Sequence, residues 1–195
     1  MAKGTTSRAV TELQRLELKS ESADEALRMV RELWEILRRK QGCTAHRLYH
    51  AQNDRSRWLV YSEWQSMPQL SGARRELARS PIYRKMHSML AQSSERANEP
   101  FGPVLSVHGV SFGAATTALI IRFEQAPENP VEAMSFVQEL QGYLSHITMH
   151  ELGSPDALVC LVHFGSAADA AAAEGALRER ESLRVLSPSI EIYVV

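Results

Sequence analysis

Residues Cys43–Ser66 read CTAHRLYHAQNDRSRWLVYSEWQS, and this stretch decides the fold. It has the pattern of a β-hairpin: an extended run through Tyr49, a turn over Asn53–Ser56 and a second run from Arg57 to Trp64. Asn, Asp and Ser hydrogen-bond their own backbone in turns, while Trp, Leu, Val and Tyr suit a pleated, packed surface. Ser66 followed by Pro68 marks a helix start, a capping hydroxyl with proline in the first turn. The hairpin recurs one hundred residues later. Ala45–His50 lines up with Ser145–His150, and Leu59…Trp64-Gln65-Ser66 with Val159…Phe164-Gly165-Ser166.

Working outward, a second match precedes each hairpin. Glu132–Leu140 aligns with Glu25–Leu33 and is identical at five of nine positions, at an offset of 107. The offset falls to 100 by the hairpin, so the second copy has lost seven residues, close to two helical turns. Val10–Lys19 alternates as a half-buried strand. Ser22 and Glu25 form a capping box ahead of a helix whose apolar face is Ala23, Leu27, Val30, Trp34 and Leu37. Gly42 reads as a left-handed cap. A second helix from about Pro68 breaks at Ser80 and restarts at Pro81, with Ile82, Met86, Met89 and Leu90 inward. Gln92–Pro103 reads as a loop, Val104–Val110 as a fourth strand and Ser111–Thr116 as a linker. The second copy follows with a strand Ala118–Glu124, a helix opened by Pro130, a turn at Gly153–Asp156, an alanine-rich helix Ala167–Leu183 and a strand Ile190–Val195.

Each copy is therefore βαββαβ, the ferredoxin-like split pattern. The fold class expected is α+β, with tandem units over residues 1–110 and 111–195. A four-stranded sheet with helices on one face leaves its other face to be covered, so the expected assembly is an intrachain pseudo-dimeric α+β barrel, the two sheets packed face to face. The chain would then be a monomer acting as a pseudo-dimer, or a homodimer.

Composition narrows the function. No apolar run approaches the length of a membrane span, and Met1-Ala2-Lys3-Gly4 does not open a secretory signal, so a cytoplasmic protein with no membrane partner is expected. The two cysteines, Cys43 and Cys160, fall on non-equivalent strands and read as reduced, buried thiols. The net charge of −1 hides an asymmetry. Residues 1–110 carry 18 Lys/Arg and 12 Asp/Glu, a balance of +6, and residues 111–195 carry 4 and 11, a balance of −7. All three tryptophans lie in the basic part. This suits either two complementary surfaces or a flat anionic ligand held by the first unit. Phosphate loops, a nucleophile elbow and an H-E-x-x-H motif are missing, and so is the basic, aromatic-interleaved stripe of a nucleic-acid binder. His46/His50 and His146/His150 each span about 13 Å along a strand, too far for one metal ion, and read as structural.

Gly42-Cys43, Arg47-Leu48-Tyr49 and Trp58–Ser66 resemble the antibiotic biosynthesis monooxygenase family, closely over residues 10–110 and as a degenerate copy beyond. The resemblance implies dimeric α+β barrels whose members oxygenate aromatic polyketide or quinol substrates without metal or flavin, degrade haem, or act on small signalling molecules. Ser80–His87 is similar to the helix segment that carries the haem-ligating histidine in the haem-degrading branch, which would make His87 the axial ligand. Gln14 stands where that branch has asparagine, and its helix tryptophan has no counterpart near Ala73 or Leu77. The function expected is a monooxygenase acting on a bulky aromatic or quinol compound without cofactor. Its pocket would lie between the first unit's helices and sheet, with Gln14 and His87 as the polar catalytic groups and Trp64 as an aromatic wall. Arg74, Tyr83 and Arg84 would bind the substrate; no metal is expected unless haem is bound at His87. The alternatives are haem binding or degradation, and a non-catalytic ligand-binding or scaffold module. The second unit, poor in aromatics and without an equivalent of His87, is expected to carry no site.

Overall fold

The computed structural model describes residues 9–19, 23–91, 98–107, 115–151, 154–180, 183, 186 and 188–195. In chain order these form β1 (Val10–Glu17), α1 (Ala23–Leu37), β2 (Cys43–Ala51), β3 (Asp54–Trp64), α2 (Met67–Arg79), α3 (Pro81–Ser88), β4 (Asn98–Val107), β5 (Thr117–Phe123), α4 (Pro130–Ser135), a 3-10 turn over Phe136–Glu139, β6 (Tyr143–Glu151), β7 (Ser154–Phe164), α5 (Ala167–Glu179) and β8 (Ser189–Val194). The fold is α+β, a tandem of two ferredoxin-like βαββαβ units. The chain divides into two compact bodies: unit 1 holds Leu48 and the described residues before it with Ser56–Gly102, and unit 2 holds Tyr49–Arg55 with the described residues from Pro103 on.

In unit 1, β1 lies antiparallel to β3, from Val10 opposite Trp64 to Glu17 opposite Arg57, and to β4, from Thr11 opposite Phe101 to Gln14 opposite Asn98. Strand alternation puts Val10, Leu16 and Leu18 of the β1 segment on the helix-facing side with Trp58, Val60 and Trp64 of β3. They bury against Val30, Leu33, Trp34 and Leu37 of α1, Leu70, Ala73 and Leu77 of α2, and Met86 of α3. The break between α2 and α3 falls at Ser80, whose backbone is extended ahead of Pro81. Ile82 and Met89 are partly buried, and Met86 and Leu90 are core. Besides Leu27, Val30, Trp34 and Leu37 read from the sequence, the α1 face encloses Ala26 and Leu33.

Unit 2 repeats the plan, with β5 between β7 and β8 and β6 beyond β7. Leu119, Ile121, Phe123, Leu158, Cys160, Val162 and Phe164 pack on Met134, Val137, Ala170, Ala173 and Leu177. The tip of the first hairpin belongs to this body: His50 and Ala51 pair with Val194 and Tyr193 of β8, and the Gln52 amide donates to the Ile192 carbonyl at 3.1 Å.

The duplication is visible atom by atom at the offset of 100. Ser66 and Ser166 cap α2 and α5, accepting the amides of Gln69 and Asp169 at 3.4 and 3.1 Å. Gly42 (φ +92°) and Gly142 (φ +73°) are both left-handed, and each carbonyl accepts the next hairpin's amide, from Gln65 and Gly165. The lost seven residues lie where the 15-residue α1 is answered by the six-residue α4 and its 3-10 turn.

Three local expectations are corrected. The hairpin turn is Gln52-Asn53, with β3 already extended from Asp54, because pairing of the hairpin tip draws Asp54–Ser56 into the ladder. Strand β4 starts at Asn98 rather than Val104; its pairing with β1 overrides the loop-like prolines and glycine. Helix α5 stops at Glu179 instead of Leu183. The Ser22 cap, residues 111–114 of the expected linker and Gly153 lie outside the described residues.

Candidate functional site

On the largely apolar helix-facing side of unit 1, Glu12 and Ser62 face each other across β1 and β3. A carboxylate there must be paired or it would not be buried as an anion. Arg74, one turn into the arginine-rich part of α2, supplies the pairing. Its Nε donates to Glu12 Oε1 at 2.8 Å. Its Nη2 stands 2.7 Å from the same oxygen but off the line of a hydrogen bond, and that buried nitrogen makes no hydrogen bond among the described residues. The other carboxylate oxygen, Oε2, accepts the Ser62 hydroxyl at 3.0 Å, and Ser62 Oγ accepts the indole N–H of Trp64 at 2.8 Å. One chain of bonds thus runs Trp64–Ser62–Glu12–Arg74. The Glu12 side chain is 7% exposed and that of Arg74 33%, so the cluster meets solvent on its arginine side.

Tyr83 completes the group from α3. Burial is the main cause that raises its phenol above the ordinary tyrosine value, Glu12 adds to the rise, and Arg74 opposes it. The Cys43 thiol is likewise raised, first by burial and then by Glu12 and Glu63. α3 is fastened to α1 by the ion pair of Lys85 with Glu25 at 2.5 Å.

Of the residues singled out from sequence, Trp64, Arg74 and Tyr83 come together around Glu12. Gln14 lies two residues along β1, on the same face as Glu12 and opposite Val60. Trp64 is wholly enclosed. His87 is exposed one turn beyond Tyr83, with ring centroids 5.9 Å apart, and Arg84 is exposed on the outer side of α3. Glu12 and Ser62 were not singled out. The signal was present: Glu12 occupies a slot that strand alternation assigns to the core, and the repeat places an apolar residue there.

Unit 2 shows what that slot holds without a cluster. In the equivalent ladder Thr117 faces Phe164 and Leu119 faces Val162, so Leu119, Val162 and Phe164 stand for Glu12, Ser62 and Trp64. Arg74 corresponds to Glu174, which turns to Arg178 on its own helix, and Tyr83 to Leu183 in the apolar core. One copy is plain core and the other is charged at the same place.

His46 on β2, His146 on β6 and His163 on β7 each have a ring or polar neighbour. His46 stacks on Trp34 at 4.6 Å, His146 takes a 2.9 Å bond with the Tyr143 hydroxyl, and Ser145 Oγ lies 3.0 Å from His163 Nδ1. Among the described residues no group of His, Cys, Asp and Glu could hold a metal ion. Both cysteines are free; Cys160 is buried but Cys43 only half so, which corrects the expectation of two buried thiols. Two open grooves, of about 380 Å³ along the end of α1 and the turn after it (Glu32 to Lys40) and about 330 Å³ at Phe136 and Arg180, involve none of the cluster. No helix among the described residues is long and apolar enough to cross a membrane.

Residues 9–87 match the profile of the family described as antibiotic biosynthesis monooxygenase. This stretch is similar to an antibiotic biosynthesis monooxygenase domain. Every member of the cluster, from Glu12 to Tyr83, falls inside that stretch, and His87 is its last residue. Solved structures resemble the whole chain. A candidate monooxygenase from Fusobacterium nucleatum superposes with a TM-score of 0.69 at 9% identity, covering 97% of this chain and 93% of that one. An anthrone oxidase-like protein gives 0.69 at 12%, with 96% and 92% covered. A monooxygenase-like protein from Listeria innocua gives 0.55 at 9%, with 96% and 94% covered. At these identities the likeness is one of fold, and it spans both units. The sequence matches no curated protein.

Proposed function

We propose that the protein is a monooxygenase of the antibiotic biosynthesis type, acting on a bulky aromatic or quinol compound without metal or flavin. The site is the helix-facing side of unit 1 around Glu12, Arg74 and Tyr83. The observation that carries this reading is the contrast between the copies. A buried ion pair is not the most stable filling for a core, since apolar residues of similar volume do as well or better. Unit 2 has the apolar filling at the same register positions, and unit 1 keeps the charges.

In this reading the ring of the substrate lies against the apolar residues of the sheet and α3, with Trp64 behind them as a wall. Arg74 and Tyr83 take the substrate's oxygens by charge-assisted and hydroxyl hydrogen bonds. Gln14 supplies a further polar partner from the same strand face. His87 and Arg84, both exposed, serve at the entrance. Loss of a proton makes the aromatic compound electron-rich enough to meet O2 directly, and the surrounding core excludes water. Haem suits the described residues poorly: His87 stands exposed beside Tyr83, where an axial ligand needs an apolar slot around the macrocycle. No step is routed through it.

The test is oxygen uptake by the purified protein with anthrone or a reduced naphthoquinone, with a calorimetric stoichiometry of one ligand per chain. Haem is titrated in parallel. No uptake and no binding of either compound refutes the reading. A Soret band lost in His87→Ala would replace it with haem binding, and a stoichiometry of two would refute the single site.

A further inference from the structure

We propose that Glu12 is the proton acceptor of this site, and that Arg74 is handed from Glu12 to the substrate oxygen as the proton moves. The inference rests on the reading of unit 1 as an aromatic-binding site. Its starting point is how the carboxylate is bonded. Oε1 faces the guanidinium, whereas Oε2 accepts only the Ser62 hydroxyl among the hydrogen bonds described above. A carboxylate oxygen has two lone-pair sites, so Oε2 keeps room for one more donor. Arg74 in turn has a buried Nη2 that stands 2.7 Å from Glu12 Oε1 and makes no hydrogen bond among the described residues, so its N–H groups remain available to an anion. An acceptor for a proton and a donor for an anion therefore belong to one carboxylate–guanidinium pair.

The step balances. With a phenol or quinol, the O–H bond breaks, its proton bonds to Glu12 Oε2, and the electron pair remains on oxygen as an aryloxide. An anthrone reacts through its enol, whose O–H bond breaks in the same way and leaves the same aryloxide. Before transfer Arg74 is balanced by the Glu12 carboxylate and afterwards by the aryloxide. The site is neutral overall in both states, so no uncompensated charge develops in a poorly hydrated place. A carboxylate alone would leave the new anion unpaired, and an arginine alone would have nothing to take the proton. Tyr83, held protonated, donates a second hydrogen bond to the oxygen. Ser62 and Trp64 are positioning residues that fix the carboxylate from behind.

Two probes separate this step from the oxygenase reading on the full chain. 4-Nitrophenol, whose ionised form is yellow, reports proton transfer without oxygen chemistry; anthrone-dependent oxygen uptake reports turnover. Wild type is expected to bind 4-nitrophenol in the ionised form below the pH at which it ionises in water. Glu12→Gln, which keeps the shape but leaves Arg74 to pair with the phenolate, is expected to bind it ionised as well while releasing about one proton to the buffer per ligand bound, where wild type keeps the proton and releases none. Its oxygen uptake should fall about a hundredfold or more, in kcat rather than KM. Glu12→Asp, which retains the charge, should keep the proton and recover part of the uptake, and serves if Glu12→Gln does not fold. Ionised 4-nitrophenol on wild type without proton release, together with no oxygen uptake, would leave this inference standing and sink the oxygenase. Equal proton release or equal uptake in Glu12→Gln and wild type would overturn the inference and leave Glu12 as a strut for α2.

Discussion

Replacing Arg74 alone and replacing it together with Glu12 should have opposite consequences for stability. Arg74→Met keeps an unbranched, flexible chain along the face of α2 but removes the guanidinium. Glu12, 7% exposed, is then left with the Ser62 hydroxyl alone. Breaking a buried pair in this way costs about 3–5 kcal/mol, and the lower end applies because Arg74 is partly exposed. The double variant Glu12→Leu/Arg74→Met removes both charges and puts in unit 1 the residue that unit 2 carries at the matching register position, Leu119. Its remaining penalty is the Ser62 hydroxyl without its acceptor, about 1 kcal/mol, against a gain of about 1–4 kcal/mol from exchanging an ion pair for apolar filling. The double variant should therefore melt at or above wild type, and the single variant below it. For a chain of this size about 3 kcal/mol corresponds to roughly 6–12 °C in Tm. Scanning calorimetry at neutral pH reads the difference, and 4-nitrophenol binding should be lost in both. A double variant as unstable as Arg74→Met would refute the reasoning. The charges would then be needed for folding, and their absence from unit 2 would say nothing about function.

Three further outcomes follow from the same geometry. Burial holds the His146 imidazole below its ordinary value, so the folded state resists a proton that the unfolded chain accepts. Stability is then full above about pH 6.5 and falls as pH drops below it; His146→Gln should flatten that slope in denaturant titrations, and an unchanged slope would contradict the burial argument. The Cys160 thiol, fully buried and pushed up to about 12, should not react with a disulfide reagent in the native protein. Half-buried Cys43 should react slowly, giving one equivalent native and two in guanidinium, whereas two equivalents in the native protein would place Cys160 at the surface. Gly42→Ala forces an alanine to φ +92° and brings its Cβ within 2.3 Å of the Gln69 side chain. That chain end can swing away, so the loss should be the left-handed penalty of about 1–2 kcal/mol in chemical denaturation, and no loss would mean the turn refolds around the change.

How far the sequence reaches depends on whether a feature is local. The Ser66 cap, the break at Ser80-Pro81 and the left-handed Gly42 are set by groups within a few residues, and all three are found. Strand β4 was misread because Pro100, Gly102 and Pro103 look like a loop, while its pairing with β1 is a long-range fact. The site divides in the same way. Arg74 and Tyr83 could be nominated from a basic, aromatic helix, but their partner lies 62 residues from Arg74 along the chain and looks like one more surface glutamate.

By itself the sequence determined the α+β class and the tandem duplication, because strand and helix periods and an internal repeat are properties of the chain alone. It also carried the resemblance to the antibiotic biosynthesis monooxygenase family that the match over residues 9–87 repeats. Only the tertiary structure decided that Glu12 faces inward against Ser62, that Arg74 reaches it from α2, and that the hairpin tip belongs with β8 in unit 2. Those facts depend on register and on how helices lie on a sheet. A shift of one residue in β1 would turn Glu12 to the other face without changing a letter of the sequence.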